Sequence, residues 1–216
     1  MMGPRRQTAG TMGIIAGVAL LILTILFFTS GATMQTFADP ASGLSFLRDN
    51  ALRLEVIGCL ALITVATATI FVAGFAAALH ERTPTRATAT LYFGLVGLAG
   101  HALGAFLTLT AFPWLVTTAA RDQVSAAHAF VAVNGVLASA DGIGNFFVGL
   151  STLLAGWAAT TVPAFGPALG WYGVVAGVVT ALAGLAGQVT ILYMGSFLLP
   201  LIWLIWAGNA LRRGAR

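Results

Sequence analysis

The sequence predicts an all-α, polytopic membrane protein: one membrane domain over residues 1–216, folded as a six-transmembrane-helix bundle with both termini cytoplasmic. Three observations carry this. Hydrophobic residues make up 59% of the chain and charged ones 7%, with a mean hydropathy of +0.96, whereas a soluble domain carries roughly 25% charged residues. The apolar residues gather into runs, and a hydrocarbon core of about 30 Å needs only about 20 of them to be crossed by a helix. All ten basic residues are arginine and flank those runs, so the net charge of +4 and pI near 10.2 read as a topology signal and exclude a nucleic-acid partner.

In chain order, Arg5 and Arg6 precede the first apolar run, 12–30. A signal peptide is the alternative there, since Thr36-Phe37-Ala38 is a faint small-residue cleavage site. The run nevertheless exceeds the roughly 7–15 residues of such a segment and reads as span one. Residues 31–50 form the most polar connector. Span two covers 52–79, with Arg53 and Glu55 in its first turn, and a charged loop from His80 to Arg86 follows. Span three, 87–111, carries Gly94, Gly97, Gly100 and Gly104, has His101 near mid-depth, and is expected to end at Phe112-Pro113-Trp114. Span four is 124–158. Pro163, Gly166 and Pro167 then make a chargeless break.

Residues 169–211 are too long for one helix and are expected to break near Gly187-Gln188, into span five (169–186) and span six (189–211). Pro200 should kink the last span. Six spans place Arg5, Arg6, Arg82, Arg86, Arg212, Arg213 and Arg216 on the side of the termini, against Arg48, Arg53 and Arg121 opposite. The positive-inside rule makes the richer side cytoplasmic. Trp157, Trp171, Trp203 and Trp206 are expected at the inner boundary and Trp114 at the outer one. Gly100/Gly104, Gly173/Gly177 and Ala138/Gly142 have the small-xxx-small spacing that lets helix backbones approach. No internal repeat is evident.

Asp141 is the acid nearest the middle of any apolar run. A carboxylate at bilayer depth costs about 2.5–3.5 kcal/mol on insertion scales, so its face must turn to partners or water. Asn134, Ala138, Asp141 and Asn145 fall on one helical stripe, and Ser139 lies close by. Antiparallel spans three and four bring His101 to the same level. An Asp–His pair there can hold a proton, a cation or a polar ligand; the alternative is a satisfied polar cluster that fixes helix register. Glu55, His128 and Gln188, with Arg53 or Arg121, are expected near the outer ends of spans two, four and six. Anchoring and capping compete with binding there, and Glu55 also suits a helix N-terminus.

Other chemistry finds little footing. Cys59, the single cysteine, excludes an intramolecular disulfide or a multi-Cys metal site, and it reads as a buried thiol. His80, His101 and His128 fall at three different depths, so haem is not expected, and no other cofactor or metal is indicated. The sequence contains no HExxH, no Walker glycine loop and no Gly-x-Ser-x-Gly, so a non-enzymatic role is expected.

From span two onward the chain resembles a family of uncharacterised six-span bacterial membrane proteins known only as a domain of unknown function. The likeness rests on Leu52-Arg53-Leu54-Glu55, on Pro84-Thr85-Arg86-Ala87, and on Phe147-Val148-Gly149-Leu150 through Gly156-Trp157. Gly170 to Gly177 and Leu198 to Gly208 complete it, over about 150 residues. It implies a six-helix bundle in a bacterial cytoplasmic membrane and brings no activity. Members of that family typically bear Arg and Glu in the third span; here the region reads Phe93-Gly94-Leu95-Val96-Gly97-Leu98-Ala99-Gly100-His101, so roles resting on those charges do not transfer. Two functions are therefore expected to compete. One is an accessory or scaffold subunit docking a membrane-protein partner, or a second copy, through Gly/Ala-rich faces. The other is a proton, cation or small-polar-solute carrier centred on Asp141 and His101.

Overall fold

The computed structural model describes residues 3–186 and 189–214; Gln188 and Arg216 lie outside them. Among the described residues there are eight helices: α1 (Gly3–Phe28), α2 (Met34–Ala38), α3 (Pro40–Asp49), α4 (Ala51–His80), α5 (Pro84–Ala119), α6 (Gln123–Ala159), α7 (Pro167–Leu185) and α8 (Thr190–Arg213). Six of them, all but α2 and α3, are long and apolar enough to cross a membrane. The helices α5 and α6, with 36 and 37 residues, reach roughly 54 Å at 1.5 Å per residue. They outrun the hydrocarbon, so their ends stand in its polar boundary layers.

The six spans close into a ring in chain order. Each packs on its neighbour in sequence, and α8 returns to α1. That closure puts the first and last helices antiparallel and both termini at one end of the bundle, called here the terminal end; the opposite end is the far end. Apolar side chains fill the ring in three layers. Phe71, Phe75, Phe165, Leu169 and Trp203 make the terminal-end layer, with Phe75 and Phe165 centroids 4.8 Å apart. Ala16, Ala68 and Leu98 form a thin middle layer. Leu47, Leu54, Phe112, Leu115 and Phe130 make the far-end layer.

Glycine sets the spacing of the ring. An added Cβ at Gly97 would lie 2.5 Å from the Val148 amide nitrogen, one at Gly156 2.6 Å from that of Val174, and one at Gly208 2.6 Å from the Gly10 carbonyl. The obstructing atoms are backbone, which cannot yield, so α6 touches α5 and α7 main chain to main chain and α1 does the same with α8. In lipid, where association rests on van der Waals packing and hydrogen bonds, such approach is the main source of cohesion. The small-xxx-small pairs of the sequence are thus spent largely inside the bundle. Ser151 adds a buried polar clasp, donating from Oγ to the Thr90 carbonyl at 2.7 Å between α6 and α5.

The helix ends follow local chemistry. Pro84 and Pro167 occupy first turns, where a missing N–H costs nothing, and Gly166 supplies the positive φ before α7. Asp39 caps α3, and Asp122 caps α6 by accepting from the Val124 and Ser125 amides at 3.1 and 3.0 Å.

Three expectations change, and one connector takes a conformation that the sequence reading left unassigned. Helix α5 runs through Pro113 to Ala119 instead of ending there, because Phe112 and Leu115 are anchored in the far-end layer and a lone missing bond is tolerated in spans. The 31–50 connector is helical: α3 buries Gly43, Leu44 and Leu47 on the far ends of α5 and α6. Cys59 is exposed on α4, not buried; Ile57 and Gly58 take the inward positions, and lipid accepts a thiol as readily as the core does. Trp203 is 3% exposed and belongs to the terminal-end layer, whereas Trp114, Trp157, Trp171 and Trp206 are exposed, as a boundary belt requires.

Two outcomes check this account. Gly156→Ala should lower stability by about 1–3 kcal/mol through overpacking, while Gly135→Ala, in open space, should gain about 0.5–1 kcal/mol of helix propensity; thermal unfolding in lipid or mild detergent compares them. The side-chain hydroxyl of Ser125, then its amide, hold Asp122 below the usual carboxylate range, with a smaller effect from His128. A lowered folded-state value contributes stability above the unfolded one and loses it as pH falls through the folded one. Protection factors at Val124 and Ser125, exchange rates corrected for the intrinsic pH dependence of amide exchange, should therefore fall on acidification, and Asp122→Ala should lower them already at neutral pH.

Candidate functional site

Asp141 sits midway along α6, and its orientation follows from its neighbours on the same stripe. Leu137, one turn toward the far end, packs on the far-end layer. Val148, two turns the other way, packs on the middle layer, and Gly144 between them is buried. Asp141 therefore points into the ring, between two apolar layers. His101 is placed likewise on α5, with Leu98 in the middle layer and Gly104 and Ala105 buried.

The two side chains meet with His101 Nδ1 3.8 Å from Asp141 Oδ1. That distance suits an ion pair or a bridging water and exceeds a direct hydrogen bond. Asp141 keeps 43% of its side-chain surface accessible and His101 30%, so neither group is sealed. Glycine makes room for both. A Cβ at Gly144 would lie 2.8 Å from His101 Cε1, and one at Gly104 3.2 Å from Asp141 Oδ1. Each helix thus offers its ionisable side chain to a glycine of its antiparallel partner. Tyr193, at the far-end start of α8, lies within electrostatic reach of Asp141 and adds a phenol from across the ring.

The remaining residues of the predicted set do not join the pair. Asn134 donates from Nδ2 to the Phe37 carbonyl at 3.1 Å, pinning α6 to α2. Ser139 is exposed and donates to its own helix at Gly135 O, 2.9 Å away. Asn145 is half-buried and makes no hydrogen bond among the described residues.

The outer set disperses. Arg53 donates to the Thr29 carbonyl at 3.0 Å, capping the end of α1. His128 is exposed beside the Asp122 cap. Glu55 borders a cleft of about 350 Å³ between α3, α4 and α5, which His128 does not line, and Gln188 lies outside the described residues. Among those residues no three His, Cys, Asp or Glu side chains gather as for a metal ion. Tyr193 and the Ser151 clasp escaped the sequence reading. Depth counting along span six would have raised Tyr193; nothing in the pattern marks which serine faces a neighbour's carbonyl.

Chemically, a carboxylate and an imidazole at this separation can pass a proton through a bridging water, or hold a small cation with the carboxylate as counter-charge and neutral imidazole as ligand. No curated protein and no solved structure matches the chain. The model of one protein family, described as a domain of unknown function (DUF4386), matches residues 15–208. That match takes in span one and exceeds the stretch from span two onward on which the resemblance rested. The six-span, ring-closed chain belongs to that family of membrane proteins.

Proposed function

We propose that this protein binds and carries a proton or small cation across a bacterial cytoplasmic membrane, with Asp141 and His101 as the binding pair. The observation that carries the proposal is an acid and an imidazole 3.8 Å apart on inward helix faces between two apolar layers. Intramembrane ionisable groups in such positions line ion and proton paths. The orientation is N-in and C-in: six of the described arginines flank the terminal end and three the far end, and positive charge stays inside. No enzymatic step is included.

A second reading keeps one observation. Ala132, Gly135 and Ser139 are all exposed along the outward face of α6, a small-residue stripe suited to a partner helix or a second copy. An accessory or scaffold subunit would dock there.

Proteoliposomes carrying a pH-sensitive dye separate the two. Under an imposed proton or cation gradient, the wild-type chain should relax it, and Asp141→Asn should reduce the flux at least tenfold. Gly144→Ala should lower it several-fold by displacing the imidazole. Equal flux in wild type and Asp141→Asn would remove the carrier. A partner that co-purifies from native membrane and is lost with Gly135→Leu would favour the subunit.

A further inference from the structure

The cleft at the far end is lined chiefly by apolar side chains, among them Leu47 of α3, Leu54 of α4, and Leu109 and Phe112 of α5, with a volume of about 350 Å³. That is the lower range for sites that hold small molecules. Its polar side chains are Glu55, Thr108 and Thr117. Glu55, at its edge, is exposed and takes part in none of the ion pairs among the described residues. The cation nearest to it in sequence, Arg53, is committed to the Thr29 carbonyl.

Thr108 and Thr117 line the same cleft, but each hydroxyl has already donated its proton, to Gly104 O at 3.0 Å and to Pro113 O at 2.9 Å. Both therefore present lone pairs only. Pro113, also in the lining, lacks an N–H and leaves the Leu109 carbonyl without its usual helical donor. The polar side chains of the cleft thus present acceptors only, one of them a carboxylate, beside the first-turn backbone of α4 at Ala51 and Leu52.

We propose that this cleft is a binding site for a lipophilic primary amine in its ammonium form, seated with its apolar body between α3, α4 and α5. The ammonium meets Glu55, and its N–H bonds have the Leu109 carbonyl and the threonine oxygens as further acceptors. A neutral amphiphile of the same shape leaves the carboxylate unpaired. An anionic one meets a like charge. A quaternary ammonium satisfies the charge but has no hydrogen to donate. The site stands apart from the Asp141–His101 pair, on other helix faces and at the far end, and does not rest on the carrier reading.

The test uses the full chain in a neutral maltoside detergent, with n-decylammonium, 1-decanol and decyltrimethylammonium as probes and the ligand-dependent rise in Tm as readout, since a ligand of the folded state stabilises by mass action. Decylammonium should bind saturably to the wild type and equally to Asp141→Asn. Glu55→Gln should weaken it about tenfold, the size of a charge-assisted hydrogen bond, and Glu55→Asp should recover part of the loss. Ala51→Phe, which fills the cleft, should abolish binding while the carboxylate stays in place. Equal affinities for decylammonium and decanol, or an unchanged affinity in Glu55→Gln, would overturn the proposal. So would loss of binding in Asp141→Asn alone, which would assign the amine to the mid-bundle acid. Displacement of decylammonium by phosphatidylethanolamine at stoichiometric amounts would overturn the small-amine assignment in favour of a lipid headgroup.

Discussion

Helix α6 approaches α5 on one side and α7 on the other closely enough that glycine is the residue that fits. Without a hydrophobic drive between spans, lipid-embedded helices hold together by the contacts that near-touching backbones permit. At Gly97, Gly156 and Gly184 an added Cβ would meet main-chain atoms of the neighbour. The rest of the ring follows from this: with α5, α6 and α7 fixed side by side, α8 is carried back to α1, where Gly10 and Gly208 repeat the same contact.

The same device shapes the centre of the bundle. A carboxylate placed at this depth is costly, by about 2.5–3.5 kcal/mol on insertion scales, and a bulky side chain opposite it would close off any compensating water or ion. Gly104 faces Asp141 and Gly144 faces His101, each three residues after the ionisable residue of its own helix, so the residue type that permits tight packing also leaves room for the two polar side chains. Apolar layers above and below hold the pair between them. Flanked by apolar layers yet still partly accessible, the two groups interact more strongly than they would in bulk water.

The spans were legible because bilayer thickness imposes a length that soluble proteins do not share, and even the break between α7 and α8 was marked by Gly187-Gln188 in a 43-residue apolar stretch. The Asp141–His101 meeting was legible from depth counting along two antiparallel spans joined by a short loop. Facing was not. Cys59 and Trp203 were misjudged because lipid is as apolar as the core, so hydropathy carries no inside–outside contrast within a span. Asn134 shares a stripe with Asp141, yet it is claimed by the Phe37 carbonyl, on a connector whose fold against α6 its composition does not reveal. Pro113 was read as a terminator by soluble-protein rules, which in a span yield to anchoring by Phe112 and Leu115.

The central claim is that the carboxylate and the imidazole face each other within the ring. Solid-state NMR on the chain in lipid bilayers, with ¹³C at the Asp141 carboxyl and ¹⁵N in the His101 ring, measures that separation directly. A ¹³C–¹⁵N dipolar coupling consistent with a carboxyl oxygen 3.8 Å from Nδ1, the labelled carbon lying one C–O bond from that oxygen, is the predicted result. Absence of any coupling between the two, with the rest of the helix signals intact, would contradict it.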